Sequence, residues 1–228
     1  MAKPTSSGGG KRGLTVYVKT AKKRSAASAA WLKRQLNDPY VAAAKTAGWR
    51  SRAAFKLIEL DERFKLLDLG LRVVDLGAAP GGWSQVAVRR GAAKVIGLDL
   101  LVIDPVPGAL MIQGDFNDPS MPGVLMSHLD GKADLVLSDM APNTTGHAAT
   151  DHIRIVALAE LAIAFAVQVL APGGAFVAKV FQGGAEKQLL EPLKRHFASV
   201  RHVKPPASRK ESSELYVVAQ GFREASPG

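Results

Sequence analysis

The segment Val73-Val-Asp-Leu-Gly-Ala-Ala-Pro-Gly-Gly-Trp83 constrains this chain more than any other. Its apolar start predicts a strand, its glycines and proline a tight turn, and the residues that follow a helix. That order belongs to a parallel α/β sheet, in which nucleotide-like ligands sit in the crevice beyond the carboxyl ends of the strands. The turn places small residues where such a ligand must approach the backbone. It does not follow the G-x-G-x-x-G spacing, because Gly77, Gly81 and Gly82 are placed differently. Pro80 also removes an amide donor that a pyrophosphate cradle would use. A nicotinamide dinucleotide is therefore disfavoured.

The pattern around this unit agrees with it. Short β-rich runs at 72–76, 94–98, 110–113, 134–138 and 175–181 alternate with helical stretches at 84–90, 119–128 and 153–170. A helix over 186–196 precedes strands at 199–203 and 215–219. The segment 204–214 leaves no room for a crossover helix, so these last two strands form an antiparallel hairpin at the end of the sheet. Before the sheet, the spacing predicts a helical piece at 31–36, a second starting at Pro39, and a stronger one over 52–64. That third helix is expected to be capped by Ser51 and to turn Ala54, Phe55, Leu57 and Ile58 inward. Arg52, Lys56, Glu59 and Arg63 then share its other face. Residues 1–28 read as a basic arm, mobile when free, 29–222 as one domain and 223–228 as a tail.

Charge is segregated. Residues 1–52 hold 12 Lys or Arg against the single acid Asp38, whereas the remaining 176 residues hold 18 basic and 19 acidic side chains. A second basic cluster, Lys194, Arg195, Arg201, Lys204, Arg209 and Lys210, has no acid between Pro192 and Lys210. Two basic zones on a neutral body are the footprint of a polyphosphate partner, RNA or DNA, although a solubilising tail has the same composition. The chain has no cysteine, which excludes disulfides, Fe–S clusters and thiolate nucleophiles. Its five histidines show no H-E-x-x-H pattern, and no metal is expected. No run reaches the roughly 20 apolar residues of a membrane span. The basic, glycine-containing start lacks the apolar core of a secretory signal. Cytoplasm is the expected compartment and a monomer the expected state.

Two acids point to the ligand. Asp99 ends the second strand, 22 residues after Gly77, where a carboxylate accepts from both ribose hydroxyls of an adenosine. Asp115, at the end of the third, is within reach of an adenine amino group. Each alone reads equally well as a strand-end turn residue. Acids at the ends of successive strands, with Asp75 or Asp139 counted beside these two, are harder to dismiss. Lys179 stands out in another way, because it interrupts the apolar strand Ala175-Phe-Val-Ala-Lys-Val-Phe181, where a lysine needs a partner or a task.

Seven ordered motifs carry a resemblance. They are Arg50-Ser-Arg-Ala-Ala-Phe-Lys-Leu57, Val74-Asp-Leu-Gly-Ala-Ala-Pro-Gly-Gly-Trp-Ser-Gln85, Leu98-Asp-Leu100, Gln113-Gly-Asp-Phe116, Ser138-Asp-Met-Ala-Pro-Asn143, Lys179-Val-Phe-Gln182 and Ser213-Glu-Leu-Tyr216. From Trp31 to Phe222 the chain resembles the FtsJ/RrmJ family of ribosomal RNA 2′-O-methyltransferases. The resemblance implies a class I S-adenosylmethionine-dependent methyltransferase fold, Rossmann-like, with a seven-stranded mostly parallel sheet. It implies S-adenosylmethionine held by Gly81, Trp83, Asp99, Asp115 and Asp139, and a catalytic set of Lys56, Asp139, Lys179 and Glu214. The implied substrate is a uridine 2′-hydroxyl of 23S ribosomal RNA in the large subunit. The arm before residue 20 has no clear counterpart in short members of that family.

The chemistry gives that set a rationale. A ribose hydroxyl is a poor nucleophile while protonated, whereas a sulfonium methyl is already activated, so the enzyme must align the two and manage one proton. A lysine serves as base where burial and a second cation weaken its hold on the proton. Lys179 is the expected base and Lys56 the second cation. Asp139 is expected to position Lys179 and to lie beside the methyl group, and Lys56 and Glu214 to steer the hydroxyl. Ordinary readings stand beside these: Lys56 paired with Glu59, Asp139 in a turn before Pro142, Glu214 on the surface. Arg50 and Arg52 are the residues expected to meet phosphates. Other readings are a 2′-O-methyltransferase acting on transfer RNA or an mRNA cap, and a non-catalytic RNA-binding ribosome-assembly factor.

Overall fold

The computed structural model describes residues 25–142, 148–181 and 186–224, so the expectations made for residues 1–24 and for the tail from 225 onward lie outside the described residues. Three helices lead in: α1 (Ala26–Leu36), α2 (Pro39–Thr46) and α3 (Ala53–Phe64). The first turn of α1 overlaps the stretch expected to belong to the arm. The sheet follows as β1 (Arg72–Leu76), α4 (Gly82–Arg89), β2 (Lys94–Asp99), β3 (Leu110–Gln113), α5 (Met121–Leu129), β4 (Ala133–Ser138), α6 (Ala148–Val169), β5 (Leu170–Phe181), α7 (Glu186–His196), β6 (Phe197–Val203) and β7 (Glu214–Phe222).

The seven strands lie in the order β3-β2-β1-β4-β5-β7-β6. The first five run parallel, and β7 is antiparallel to both β5 and β6. Because side chains alternate along a strand, neighbouring residues serve opposite layers. Val73, Val95, Leu135, Leu137, Val177 and Val218 pack under α3 and α4. Val74, Leu76, Ile96, Leu98, Val136, Phe176 and Val217 pack under α5, α6 and α7. With both faces covered, the central strands are apolar at nearly every position. Each fully buried Leu or Val contributes on the order of 1.5–3 kcal/mol. Among the described residues no helix is long and apolar enough to cross a membrane.

Most predicted strands match to within a few residues. β5 departs, beginning at Leu170 rather than 175. Leu170 pairs with Ala133, and the register shifts before Leu135 meets Ala175, so Pro172-Gly173-Gly174 falls inside an interrupted strand rather than a loop. The predicted cap of α3 is corrected. Arg52 occupies the N-cap with no side-chain capping hydrogen bond, and the Ser51 hydroxyl is buried without a partner. Close packing of α3 on α4 explains this: a Cβ at Gly82 would lie 2.7 Å from Ser51 Oγ. The buried face of α3 is Ala54, Lys56, Leu57, Leu60 and Asp61, with Phe55 and Ile58 only half-buried.

Asp75 is the unusual core residue, fully buried, with Oδ2 accepting from Ser84 Oγ at 2.7 Å and Oδ1 unpartnered. Burial pushes its carboxyl up to about 7 from the ordinary 3.8, a rise that the Ser84 hydrogen bond only partly offsets. The folded state therefore holds this proton where the unfolded chain releases it. Stability falls as pH rises from near 4 towards 7, by up to about 1.4 kcal/mol per pH unit. Melting temperatures of wild type and Asp75→Asn between pH 5 and 8 should show this decline in the wild type and its loss in the variant.

Candidate active site

Beyond the carboxyl ends of β1, β2 and β4 lies a cleft of about 680 Å³. Its walls include Gly77, Ala79, Asp99, Asp115, Asp139 and Met140, with Arg154 and Leu158 contributed by α6. Asp99 is locked in place: Oδ2 accepts from Ala79 N–H and Oδ1 from Leu101 N–H, each at 2.9 Å. Asp115 Oδ1 accepts the Asn117 amide at 2.9 Å and its side-chain nitrogen at 2.8 Å. Asp99 thus takes its orientation from the turn after β1 and from the loop it begins, and Asp115 from the loop it begins. Both keep acceptor capacity for a ligand.

Gly81 and Trp83 stand behind the cleft rather than on its wall. Gly81 has φ +100°, and a Cβ there would meet Val106 at 2.8 Å and Arg50 at 3.3 Å. Trp83 is 2% exposed, donates from Nε1 to Ala53 O at 2.8 Å and packs against the Tyr216 ring. It joins the start of α4 to α3. Arg50 is also occupied, its guanidinium bridging the carbonyls of Pro80, Asp104 and Pro105. Arg52 is paired with Asp38 at 3.0 Å and donates to Ala207 O. The two arginines expected to meet phosphates therefore serve to join loops.

Lys56, Asp139, Lys179 and Glu214 come together beside the cleft. Lys56 Nζ lies 2.7 Å from Glu214 Oε1, and Lys179 Nζ 3.1 Å from Asp139 Oδ1. Lys179 also donates to the Asp139 carbonyl at 2.6 Å. Tyr216 joins the two pairs, accepting from Lys56 Nζ at 3.1 Å and donating to Asp139 Oδ1 at 2.8 Å. The strands make this possible. Lys179 and Tyr216 face each other across β5 and β7, and Glu214 lies two residues along on the same face as Tyr216. Lys56 reaches down from α3. It does not pair with Glu59, whose carboxylate instead accepts from Tyr40 and Ala207.

The electrostatics follow from the packing. Burial alone would raise the Asp139 carboxyl, but Lys179, Lys56 and the Tyr216 hydroxyl outweigh it and hold Asp139 below its ordinary value. Burial, with Asp139 and Glu214 nearby, pushes Tyr216 well above its ordinary value, so its hydroxyl remains a donor. At neutral pH the carboxylate is charged and the phenol neutral. Tyr216 was not foreseen as a site residue. Its position in strand alternation with Glu214 was the available signal. Arg154 had none, because only the path of α6 brings it to the cleft.

The strand order, with its reversed seventh strand, defines a class I methyltransferase fold. The description of the FtsJ-like methyltransferase family matches residues 49–222, and the chain belongs to that family. It is 74% identical over 214 residues to the ribosomal RNA large subunit methyltransferase E of Granulibacter bethesdensis, covering 94% of this chain and 93% of that one. The protein of the same name from Gluconobacter oxydans is 68% identical, over 93% of this chain and 79% of the relative. A solved ribosomal RNA methyltransferase structure from Plasmodium falciparum superposes with a TM-score of 0.69 at 34% identity, covering 76% of this chain and 98% of the other. The chain is a methyltransferase.

Proposed function

We propose that this enzyme transfers a methyl group from S-adenosylmethionine to the ribose 2′-hydroxyl of a uridine in 23S ribosomal RNA of the large subunit, acting as a cytoplasmic monomer. The observation that carries the reading is the joining of two buried lysine–carboxylate pairs through one tyrosine at the edge of an acid-lined cleft. The names of its relatives agree with the substrate.

The cleft suits the methyl donor. Asp99 is oriented to accept from ribose hydroxyls, Asp115 to accept from an adenine amine, and Asp139 to face a sulfonium with its negative charge. When bound, S-adenosylmethionine supplies an electrophilic methyl group, which leaves the protein one proton to manage and two atoms to align. Lys179, 8% exposed and held by the carbonyl and carboxylate of Asp139, is placed to accept the 2′-hydroxyl proton. Asp139 orients Lys179 through both contacts. Lys56, fixed by Glu214 and Tyr216, places a second cation near the emerging alkoxide, which favours loss of that proton. Glu214 keeps Lys56 from being an unpaired buried charge. Gly81 and Trp83 support the cofactor from behind by shaping the loop and fastening it to α3.

Tritium transfer from labelled S-adenosylmethionine to purified 50S particles, free ribosomal RNA and transfer RNA tests the reading. Label in large-subunit RNA that survives alkali as a resistant dinucleotide is expected. Label in transfer RNA alone would replace the substrate, and transfer to none would favour an assembly factor.

A further inference from the structure

The segment between β6 and β7 is fastened to the N-terminal helices by charges that the reaction above does not use. Asp38, the N-cap of α2, accepts from Tyr40 N–H at 3.0 Å on Oδ1. Its Oδ2 meets Arg52 Nε at 3.0 Å and Arg209 Nη2 at 3.2 Å. Glu59 of α3 accepts from the Ala207 amide at 2.6 Å, and Arg52 donates to the Ala207 carbonyl at 2.5 Å. Side chains of α3 and of its N-cap residue therefore hold both backbone polar groups of Ala207. Within the segment, Ser208 N–H donates to Pro205 O at 2.8 Å, and Lys204 Nζ donates to the carbonyls of Lys210 and Ser212. A connection of this kind ordinarily gives its backbone groups to water. This one is held in a single shape.

The residue it delivers is Ser208, 4% exposed, whose Oγ donates to Glu214 Oε1 at 2.8 Å. That is the oxygen which Lys56 meets at 2.7 Å. Without the serine, the Glu214 carboxylate would keep Lys56 and the Tyr216 hydroxyl beside it but lose the hydrogen bond that fixes Oε1 from the side of the segment, and could rotate. Lys56 would then follow it away from Tyr216. We propose that Ser208 is a positioning residue for methyl transfer, fixing the Glu214–Lys56 pair against Tyr216, and that Asp38 sets its place by holding the segment through Arg209 and Arg52. The proposal rests on the catalytic reading above.

The test uses the full chain with 50S particles and S-adenosylmethionine, comparing wild type, Ser208→Ala, Asp38→Asn and the double variant. Ser208→Ala should lower kcat by about tenfold, the scale of one lost hydrogen bond to a charged group, and should change the pH–rate profile. The RNA KM and the calorimetric Kd for S-adenosylmethionine should stay within about twofold, because the loss falls on an arrangement needed in the transition state. Asp38→Asn should lose less. The double variant should be no worse than Ser208→Ala alone, since both substitutions act on the same contact. Melting temperatures separate this from loss of folded protein. An active wild type with an unaffected Ser208→Ala profile, or with fully additive losses, overturns this proposal alone. A wild type that transfers no methyl group to a ribose 2′-hydroxyl overturns the catalytic reading and this proposal together.

Discussion

A Lys179→Ala variant is expected to turn over methyl transfer roughly 10²–10⁴-fold more slowly, the range associated with loss of a positioned general base. Its affinity for S-adenosylmethionine should be unchanged. The geometry separates the two effects, because Lys179 contacts Asp139, while Asp99 is held by the Ala79 and Leu101 amides and Asp115 by Asn117. The fold should survive. Removing one partner of a buried ion pair costs about 3–5 kcal/mol where the remaining charge is stranded. Asp139 is not stranded, because it keeps the Tyr216 hydrogen bond, has Lys56 nearby and is 19% exposed towards the cleft. Lys179→Arg sharpens the test, since a guanidinium keeps the charge but does not give up its proton at working pH. Both variants, assayed for kcat on 50S particles with melting temperature in parallel, should be folded and nearly inactive. An active arginine variant would remove proton acceptance from Lys179 and leave it a purely electrostatic role.

Gly77→Ala should do more damage than its single added methyl suggests. Gly77 has φ +75°, and its Cβ would sit 2.7 Å from Met140 N and 2.8 Å from Met140 Cα. Those are backbone atoms of the strand end that carries Asp139, so nothing flexible can yield. A left-handed conformation for a residue with a side chain and an overpacked contact together predict a loss of about 2–5 kcal/mol. At this chain length that lowers the melting temperature by roughly 5–20 °C. Because Gly77 and Met140 both line the cleft, cofactor affinity should fall as well. Gly123→Ala is the control. That glycine lies within α5, its Cβ would meet nothing within 4 Å, and alanine there should be neutral or stabilising by up to about 1 kcal/mol. Thermal melts with and without S-adenosylmethionine distinguish the two positions.

Much of this molecule was legible in the chain because the relevant signals are local. The run from Val73 to Trp83 announces a strand, a turn and a helix in one reading, and the chain forms them there as β1, a glycine turn and α4. The final hairpin followed from the short spacing between its strands, and Lys179 drew notice by interrupting an apolar strand. What escaped was settled by tertiary packing. Ser51 has the right chemistry for a cap, but the closeness of α4 turned its hydroxyl elsewhere. Arg50 and Arg52 looked like free cations because nothing nearby in sequence pairs with them. Their partners lie 54 and 155 residues away, at Asp104 and Ala207, with Asp38 shared by Arg52 and Arg209. Tyr216 was missed because its partners lie 77 and 160 residues away, with only its alternation with Glu214 to mark it. Ser208 bonds to Glu214 six residues on, but its place is set by the fastening of its segment to α3 and Arg52.

The position of β7 has a consequence for how the enzyme is made. It is the last strand among the described residues, yet it lies between β5 and β6, so β6 has no place in the sheet until β7 has inserted. Synthesis runs from the amino end, and earlier elements can begin to organise while the last strand is still being added. Glu214 and Tyr216 arrive only with that strand, so a nascent chain that has already formed the turn after β1 still lacks both side chains that hold Lys56. On the catalytic reading proposed above, activity begins only when translation of β7 is complete, and a product cut short before it is expected to be catalytically silent, however much of the cleft had formed.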